Sequence, residues 1–471
     1  MPSQQNKFPY VINSFRGGIS SEDKRGPAGS YKFGYGLDIR KRADVLTCGY
    51  ALAKDSGTTL EDFVRFIVPC TNGKSYHFGD TGKIYERSAA GAWVKRYADA
   101  NGAIKGAFEW NGYLYWACNT KLSRIQVSAI PAATWNAEVA HDWQTLTAAD
   151  WHIMTMACGN MMIGNKATIA MVDYAASAFT ATALDLIPGN IAKALTEEGD
   201  YLIIGTTRSD LSDKGYLISW TTSATRWLQK KKLSGKGVNA IIQTELFLTQ
   251  CGVDGEVFSD FSSKQPQFVF PDGGSCYPDA VDNRKGLALF GVNGSTKDGL
   301  YAYGRPQLSY PFALSLDYVP SHGKITGCYI GSVKMIDGSL FVSWKDGTTY
   351  GVDKLSANRA TGVYESLEFD AGQPYNKKTF HDVLLTMNPL VNGCTITLKY
   401  KLDGASSWTT AKTIAGASSF STALATDAQF RIGKTGRKIE YQITLTPTTI
   451  YAPEITSKKT MFSFTKGGNN A

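Results

Sequence analysis

One pattern of strands recurs along most of this chain. Its clearest copy covers residues 103–127, AIKGAFEWNGYLYWACNTKLSRIQV, and consists of a strand, a tight turn, a second strand, a gap and a third strand. Asn111-Gly112 marks the turn, because both central positions of a type I′ hairpin turn need positive φ. Copies begin near residues 64, 104, 152, 191, 238, 278 and 325. The chain therefore builds one small unit about seven times.

This repeat of roughly 40 to 48 residues predicts a β-propeller, in which each copy forms one four-stranded blade. A blade cannot bury both of its faces alone, so blades stack around a ring. A β-helix needs much shorter repeats, and a long β-sandwich does not explain the recurrence. Aromatic residues make up 12% of the chain, and 47 glycines are available for turns. This composition also favours β structure.

Closure of a propeller ring needs an early strand that completes the last blade. Residues 35–54, YGLDIRKRADVLTCGYALAK, are the candidate for that strand or for a lead-in along the first blade. The outermost strands of the blades are expected in the segments AWVKRYA, DWQTL, FTATALDL, TRWLQKKKL and QFVFPDG.

The character of the sequence changes after residue 362. In the segment CTITLKYKLDG, Ile396, Leu398 and Tyr400 alternate with polar residues, as in a strand with one buried face. We therefore predict an all-β chain with a β-propeller of about seven blades over residues 41–362. A C-terminal β-sandwich with a short flexible tail is predicted over residues 363–471. Residues 1–40 are predicted to be an extended N-terminal arm.

Motifs near both ends resemble those of tailed-bacteriophage virion proteins. The first motifs follow their openings F-x-GG and Gly-Leu/Val-Asp-Ile-Arg: Phe15-Arg16-Gly17-Gly18 and Gly36-Leu37-Asp38-Ile39-Arg40. The later ones resemble their C-terminal module: Tyr400, Asp403, Trp408 and Ala452-Pro453-Glu454-Ile455. The resemblance implies a tail nozzle, tail-tip or hub subunit that forms a homo-oligomeric ring around the DNA exit channel. Its partners would be other tail or connector subunits.

The segment SFRGGISSEDKRG, residues 14–26, is the central part of the predicted arm. Its double glycine allows a sharp turn or a close approach to another chain. The polar run that follows is too polar to be buried alone. We predict that the arm orders on a neighbouring subunit, and that its deletion leaves a folded monomer that fails to assemble. The predicted contacts are Phe15, Gly17, Gly18 and Arg40.

A cluster of lysines lies in the segment RWLQKKKLSGKG: Lys230, Lys231, Lys232 and Lys236. One interpretation is a solvated loop. The other is a basic patch that makes transient contact with genomic DNA or with an acidic subunit. The net charge of +8 is spread thinly along the chain, which is not the dense basic stripe of a dedicated DNA-binding domain.

No catalytic or cofactor motif is present. The five histidines lack the spacing of metal ligands, and GxSxG, P-loop and GxGxxG sequences are missing. The segment SWKDGTTY approaches a sialidase-type Asp-box, but its aspartate is one position late. We predict that the chain is not an enzyme and binds no cofactor or metal. A receptor- or glycan-binding propeller of the tail is the alternative, and a propeller glycoside hydrolase is a third hypothesis.

The cysteines and the N-terminal sequence predict the compartment. None of the eight cysteines is in a CxxC pair and most lie in apolar runs, which predicts buried free thiols made in a reducing cytoplasm. No apolar stretch has the length of a signal peptide or of a membrane span. The chain is therefore expected to be made in the host cytoplasm, to lack a membrane span and to reside in the virion tail.

Overall fold

The structure, a computed structural model, describes residues 7–40, 44–57, 60–130, 135, 139–208, 215–259, 265–416 and 426–465. These residues contain forty β-strands, one short 3-10 helix at Val127–Ala129 and no α-helix. No described helix has the length and hydropathy that crossing a bilayer requires. The prediction of an all-β chain is confirmed, whereas the predicted flexible tail after residue 465 lies outside the described residues.

Six short strands precede the first repeat. They are β1 (Phe8–Ile12), β2 (Gly18–Ile19), β3 (Ser30–Tyr31), β4 (Phe33–Tyr35), β5 (Leu46–Thr47) and β6 (Tyr50–Lys54). β2 and β3 pair in parallel as a two-stranded sheet.

The first five repeats form five separate four-stranded sheets, here called blades one to five, with antiparallel neighbours. Blade one contains β7 (Val64–Pro69), β8 (Ser75–Gly79), β9 (Lys83–Arg87) and β10 (Trp93–Ala98). Blade two contains β11 (Gly106–Trp110), β12 (Tyr113–Ala117), β13 (Lys121–Gln126) and β14 (Val139–Thr145). Blade three contains β15 (Met154–Ala157), β16 (Asn160–Asn165), β17 (Thr168–Val172) and β18 (Phe179–Asp185). Blade four contains β19 (Asn190–Glu198), β20 (Tyr201–Arg208), β21 (Tyr216–Trp220) and β22 (Gln229–Lys232). Blade five contains β23 (Val238–Gln243), β24 (Phe247–Cys251), β25 (Glu256–Ser259) and β26 (Phe268–Val269).

Two further repeats and seven late strands complete the described chain. Blade six contains β27 (Ser275–Arg284), β28 (Leu287–Asn293), β29 (Gly299–Gly304) and β30 (Ala313–Tyr318), and blade seven contains β31 (Cys328–Ile336), β32 (Ser339–Asp346) and β33 (Thr349–Arg359). The late strands are β34 (Gly362–Glu365), β35 (Lys378–Met387), β36 (Thr395–Leu402), β37 (Thr409–Ala415), β38 (Asp427–Gly436), β39 (Ile439–Thr446) and β40 (Glu454–Phe464).

The ring of seven blades is closed, as predicted. The first strand of each blade contacts the first strand of the next, and β31 of blade seven contacts β7 of blade one. These inner strands begin within three residues of the starts predicted from the repeat. β6 is the fourth strand of blade seven, so an early strand completes the last blade. Asn111 and Gly112 have φ of 43° and 80°, as the predicted turn requires.

The late strands form sheets together with strands from the beginning of the chain. One sheet has the order β1-β40-β35-β38, and β5 also pairs with β40. A nine-stranded sheet has the order β27-β28-β29-β30-β4-β34-β39-β36-β37. The separate C-terminal β-sandwich therefore stays a prediction, because the sheets that contain the late strands also contain β1, β4 and β5.

The described chain divides into two compact units. The terminal unit consists of residues 1–52, 301–319 and 355–471, and the propeller unit consists of residues 53–300 and 320–354. These divisions differ from the predicted boundaries after residues 40 and 362. The physical reason is strand pairing: Phe8 of β1 pairs with Phe462 of β40, and Val363 of β34 pairs with Tyr35 of β4.

Each unit has its own buried core. In the terminal unit, one cluster joins early residues such as Phe15 and Leu37 to late ones such as Ile396 and Ile443. In the propeller unit, the clusters lie between adjacent blades, and Trp116 is buried in the cluster shared by blades one and two. Interblade packing of this kind is what a blade needs to bury its two faces.

Candidate functional site

The residues predicted as assembly contacts lie inside the terminal unit. Phe15 is 1% exposed, and its ring centroid is 5.8 Å from that of Tyr364. Residues 8–12 form β1 and pair with β40 of the same chain. The prediction of an extended arm is therefore wrong for residues 7–40, since they are strands and core of their own chain. The predicted folded monomer after deletion of the arm is withdrawn for the same reason.

The double glycine is required by packing within the chain. A Cβ on Gly17 would lie 2.5 Å from the backbone nitrogen of Ser30. Gly18 has φ of +72°, and a Cβ on it would lie 2.6 Å from the carbonyl oxygen of Leu314. Any side chain at these positions collides with backbone atoms that cannot move freely.

The polar run after the glycines also finds its partners in the terminal unit. The Lys32 Nζ lies 3.1 Å from Glu440 Oε2 and 3.3 Å from Asp23 Oδ2. The backbone nitrogen of Glu368 donates to the carbonyl oxygen of Asp23 at 2.9 Å. Glu440 and Glu368 are hundreds of residues away in sequence, so these contacts cannot be found from the run alone.

Arg40 forms a buried ion pair instead of an assembly contact. Its Nη1 donates to both carboxylate oxygens of Asp317, at 2.9 and 2.8 Å. Its Nη2 donates to the carbonyl oxygens of Ala302 and Ala313, at 3.0 and 3.1 Å. The side chains of the pair are 10% and 13% exposed. Burial raises the pKa of Asp317, and the Arg40 guanidinium opposes that effect.

The predicted lysine cluster lies at the outer edge of blade four. Lys230, Lys231 and Lys232 are in the edge strand β22, and Lys236 follows it. Lys230, Lys232 and Lys236 are exposed, whereas Lys231 is half-buried. Because neighbouring residues of a strand point to opposite faces, the first three lysines do not form one continuous surface. Lysines on an edge strand also prevent edge-to-edge pairing, which is a structural reason for their position.

A buried polar cluster joins the inner strands of blades one, six and seven. The Asp279 carboxylate accepts hydrogen bonds from the backbone nitrogen of Ile67, the Ser332 hydroxyl and the Lys334 ammonium, at 3.2, 2.5 and 3.0 Å. Asp282 accepts one from the backbone nitrogen of Met335 at 2.6 Å. Burial alone would lower the pKa of Lys334, but the two carboxylates outweigh it and raise that pKa. The cluster therefore links blades six and seven to blade one, where the ring closes.

Aromatic side chains meet around Arg65 at the axis of the propeller unit. The Arg65 guanidinium carbon lies 4.1 Å from the ring centroid of Tyr277 in blade six. It also lies 5.4 Å from that of Trp151, in the segment that enters blade three. The Trp151 and Tyr277 rings are 5.6 Å apart. Blades one, three and six are not neighbours, so these side chains meet across the axis and obstruct it at this end.

A charged cleft of about 240 Å³ lies in the propeller unit between blades seven and one. Three cationic side chains, Lys74, Arg87 and Lys354, line it together with one carboxylate, Asp337. No local sequence pattern marks this cleft, because its cations come from three strands or turns that are up to 280 residues apart in the chain.

A second cleft, of about 260 Å³, lies in the terminal unit. Arg359, Glu454, Asn388 and Tyr451 are among the residues that line it. Arg359 donates to the carbonyl oxygen of Cys48 at 3.3 Å and stacks on Tyr50, with its guanidinium carbon 4.2 Å from the ring centroid. One cation and one carboxylate therefore face this cleft, both engaged with neighbouring groups.

Cysteines and histidines have structural environments. All eight cysteines are free, and the predicted burial is confirmed for every one except Cys158, which is half-buried. Burial raises the pKa of Cys48 to about 12. His77 is fully buried, and burial lowers its pKa to about 3, so its ring is neutral at pH 7. Within the described residues, no group of three or more His, Cys, Asp or Glu side chains is placed to hold a metal ion.

No protein-family model and no curated protein matches the chain. Similar solved structures include the WD40 β-propeller domain of Doa1, with 14% identity, a TM-score of 0.45, and coverage of 65% of this chain and 97% of that one. The structure of U3-55K has 13% identity, a TM-score of 0.47, and coverage of 65% and 98%.

A third similar structure is the extracellular domain of a hybrid two-component system from B. thetaiotaomicron. It is 14% identical with a TM-score of 0.47, and the match covers 74% of this chain and 45% of that one. The chain thus spans less than half the length of that protein. These similarities carry no information on what the chain binds, and the seven-bladed propeller rests on its own strand topology.

Proposed function

We propose that the chain is a non-catalytic structural subunit of a tailed-bacteriophage virion, at a tail nozzle, tail tip or hub. One observation supports the proposal most directly: the motifs that resemble such proteins, at opposite ends of the sequence, belong to one folded unit. Phe15, Leu37 and Ile39 share a buried cluster with Tyr400 and Ile455. Motifs that recur together and pack together are expected to form one module, with the propeller inserted into it.

The surface that we propose for assembly is the edge strand β1. It pairs only with β40 among the described strands, and Phe8, Tyr10 and Val11 on it are 43%, 37% and 49% exposed. A hydrophobic edge with unpaired backbone groups is a template for a strand of another chain. The earlier arm hypothesis is thereby replaced by a folded edge, with a neighbouring tail subunit or a second copy in a ring as partner.

Replacing Val11 with lysine is expected to abolish this assembly without unfolding the monomer, since half of the side chain is exposed. Light scattering coupled to size-exclusion chromatography should show an oligomer for the original chain and a monomer for Val11→Lys. The matched control is Val94→Lys, which changes a valine that is 41% exposed on the outer strand β10.

Mass spectrometry of purified phage particles tests the proposed location. We expect the chain at a fixed number of copies in particles produced from the genome that encodes it. Its absence from intact particles would overturn the virion proposal, whereas an unchanged oligomer in Val11→Lys would overturn only the proposed surface.

Transient contact with genomic DNA at Lys230, Lys231, Lys232 and Lys236 remains part of the proposal. Three of these lysines are exposed. Changing all four to glutamine should weaken binding of double-stranded DNA and make its salt dependence shallower, since each phosphate contact contributes to the slope. Fluorescence anisotropy at several salt concentrations measures both effects. An unchanged slope in the variant would remove this contact.

A further inference from the structure

We propose that the charged cleft between blades seven and one binds a phosphate or sulfate group, either free or carried by a sugar. This inference is independent of the virion proposal, because it rests on the cleft alone. The cleft lies entirely within the propeller unit, and its volume of about 240 Å³ leaves room for such a group and part of the molecule that carries it.

Positive charge dominates the lining. Three cations face the cleft against the single carboxylate of Asp337. Two carboxylates behind the lining, Asp55 and Glu86, neutralise part of this charge. Glu86 is shared, because it pairs with Lys74 at 2.9 Å and also with Arg96 at 3.0 Å. When Arg96 is counted, four cations face three carboxylates, so one positive charge remains, which favours an anion and disfavours a metal ion.

Arg87 is held in position before any ligand arrives. Its Nε and Nη2 donate to the two carboxylate oxygens of Asp55, at 2.6 and 3.1 Å. Trp93 Nε1 donates to the same carboxylate at 2.9 Å. The guanidinium carbon lies 4.7 Å from the ring centroid of Phe341. A fixed guanidinium costs little conformational entropy when it binds an oxyanion, and its planar donors fit phosphate and sulfate.

Lys354 supplies a second cation at the same ring. Its ammonium lies 5.7 Å from the centroid of the Phe341 ring, the same ring that the Arg87 guanidinium approaches. Within the described part of the chain, the ammonium makes no hydrogen bond or ion pair. Arg87 and Lys354 both lie near the Phe341 ring, and both act electrostatically on Asp55. An anion bound in the cleft would add to the charge compensation that Asp55 already provides.

Hydroxyl groups and small residues complete the lining. Ser75, Ser88 and Ser339 face the cleft, and Gly73 and Ala89 leave space beside them. The Ser75 hydroxyl already bonds the His77 ring at 2.9 Å, so Ser88 and Ser339 are the hydroxyls left to donate to an oxyanion. These donors suit a tetrahedral oxyanion better than an apolar ligand.

Isothermal titration calorimetry of the full chain tests the proposal with four probes at constant ionic strength. The probes are inorganic phosphate, inorganic sulfate, a hexose phosphate and a sulfated monosaccharide. Saturable binding of the inorganic ions indicates the free oxyanion, and tighter binding of the sugar esters indicates that the sugar is recognised as well. Affinity should fall as salt rises, because screening weakens charged contacts.

The deciding variant is Lys354→Gln, which should weaken binding at least about tenfold by removing one charge-assisted contact. The control is Lys345→Gln in the neighbouring strand β32, where the lysine also lies near aromatic rings but does not line the cleft. Circular dichroism should show both variants folded. The proposal is overturned if no probe binds saturably at millimolar concentration, or if Lys354→Gln and Lys345→Gln bind alike.

Discussion

Replacing Lys458 with methionine is expected to raise the free energy of unfolding at pH 7 by on the order of 4 kcal/mol. Lys458 is 1% exposed in β40, and burial lowers its pKa to about 7 from an ordinary value of 10.5. Its ammonium lies 4.3 Å from the centroid of the Tyr441 ring, which compensates only part of the lost hydration. Methionine fills similar space without a charge.

The pH dependence gives this prediction its sign. Between pH 7 and pH 10.5 the unfolded chain holds a proton on Lys458 that the folded chain has released. The loss of folding free energy caused by burying Lys458 is therefore absent above pH 10.5. It grows as the pH drops and is largest near pH 7. The advantage of Lys458→Met should shrink by about 1.4 kcal/mol for each pH unit above 7.

Urea denaturation of both proteins at pH 7, 8 and 9 measures this difference. Lys459→Met is the control, because Lys459 is the next residue of β40, is only half-buried and points to the opposite face of the sheet. Parallel pH profiles for the original chain and Lys458→Met would show that the lysine is not buried as described.

Replacing Arg40 with methionine is expected to destabilise the terminal unit by about 3–5 kcal/mol, because the buried Asp317 loses its partner. Two backbone carbonyls, of Ala302 and Ala313, also lose their donor. Removing the second charge as well, in Arg40→Met with Asp317→Asn, should recover much of the loss. Urea denaturation of the single and double variants provides a double-mutant cycle.

The pH response of Arg40→Met separates this mechanism from a simple packing defect. Burial already raises the pKa of Asp317, and loss of the guanidinium should raise that pKa further. A raised carboxyl pKa stabilises the fold at low pH and loses that contribution as the pH rises, so the variant should be less damaged at pH 5 than at pH 8. Lys24→Met is the control: its pair with Glu368 is long, at 3.8 Å, and the lysine is 61% exposed. Equal losses in the two variants would contradict a buried pair.

Local signals in the sequence predicted the propeller well. The Asn111-Gly112 turn and the recurring strands depend on neighbours within a few residues, so their spacing alone located the inner strands. The outer strands of the first five blades were also located: β10, β18, β22 and β26 lie in the segments named for them, and β14 overlaps its segment but begins three residues earlier.

Residues with distant partners could not be assigned in the same way. The sequence predicted that Gly17 and Gly18 give an extended arm its backbone flexibility. In the structure they are glycines because Ser30 and Leu314 leave no space for a Cβ. The sequence predicted Arg40 as an assembly contact, whereas its partner is Asp317, 277 residues later in the chain. The cleft cations have no local pattern: strand pairing in blade one places Lys74 near Arg87, and closure of the ring with blade seven adds Lys354.

The pairing of β1 with β40 has a consequence for synthesis. Phe8 leaves the ribosome 454 residues before its partner Phe462. At roughly 5–20 residues per second, that interval is on the order of twenty to ninety seconds. During this time the apolar strand β1 has no partner strand from its own chain and is exposed to aggregation. Expression should therefore be sensitive to chaperone supply and to growth temperature, even though the finished protein is well packed.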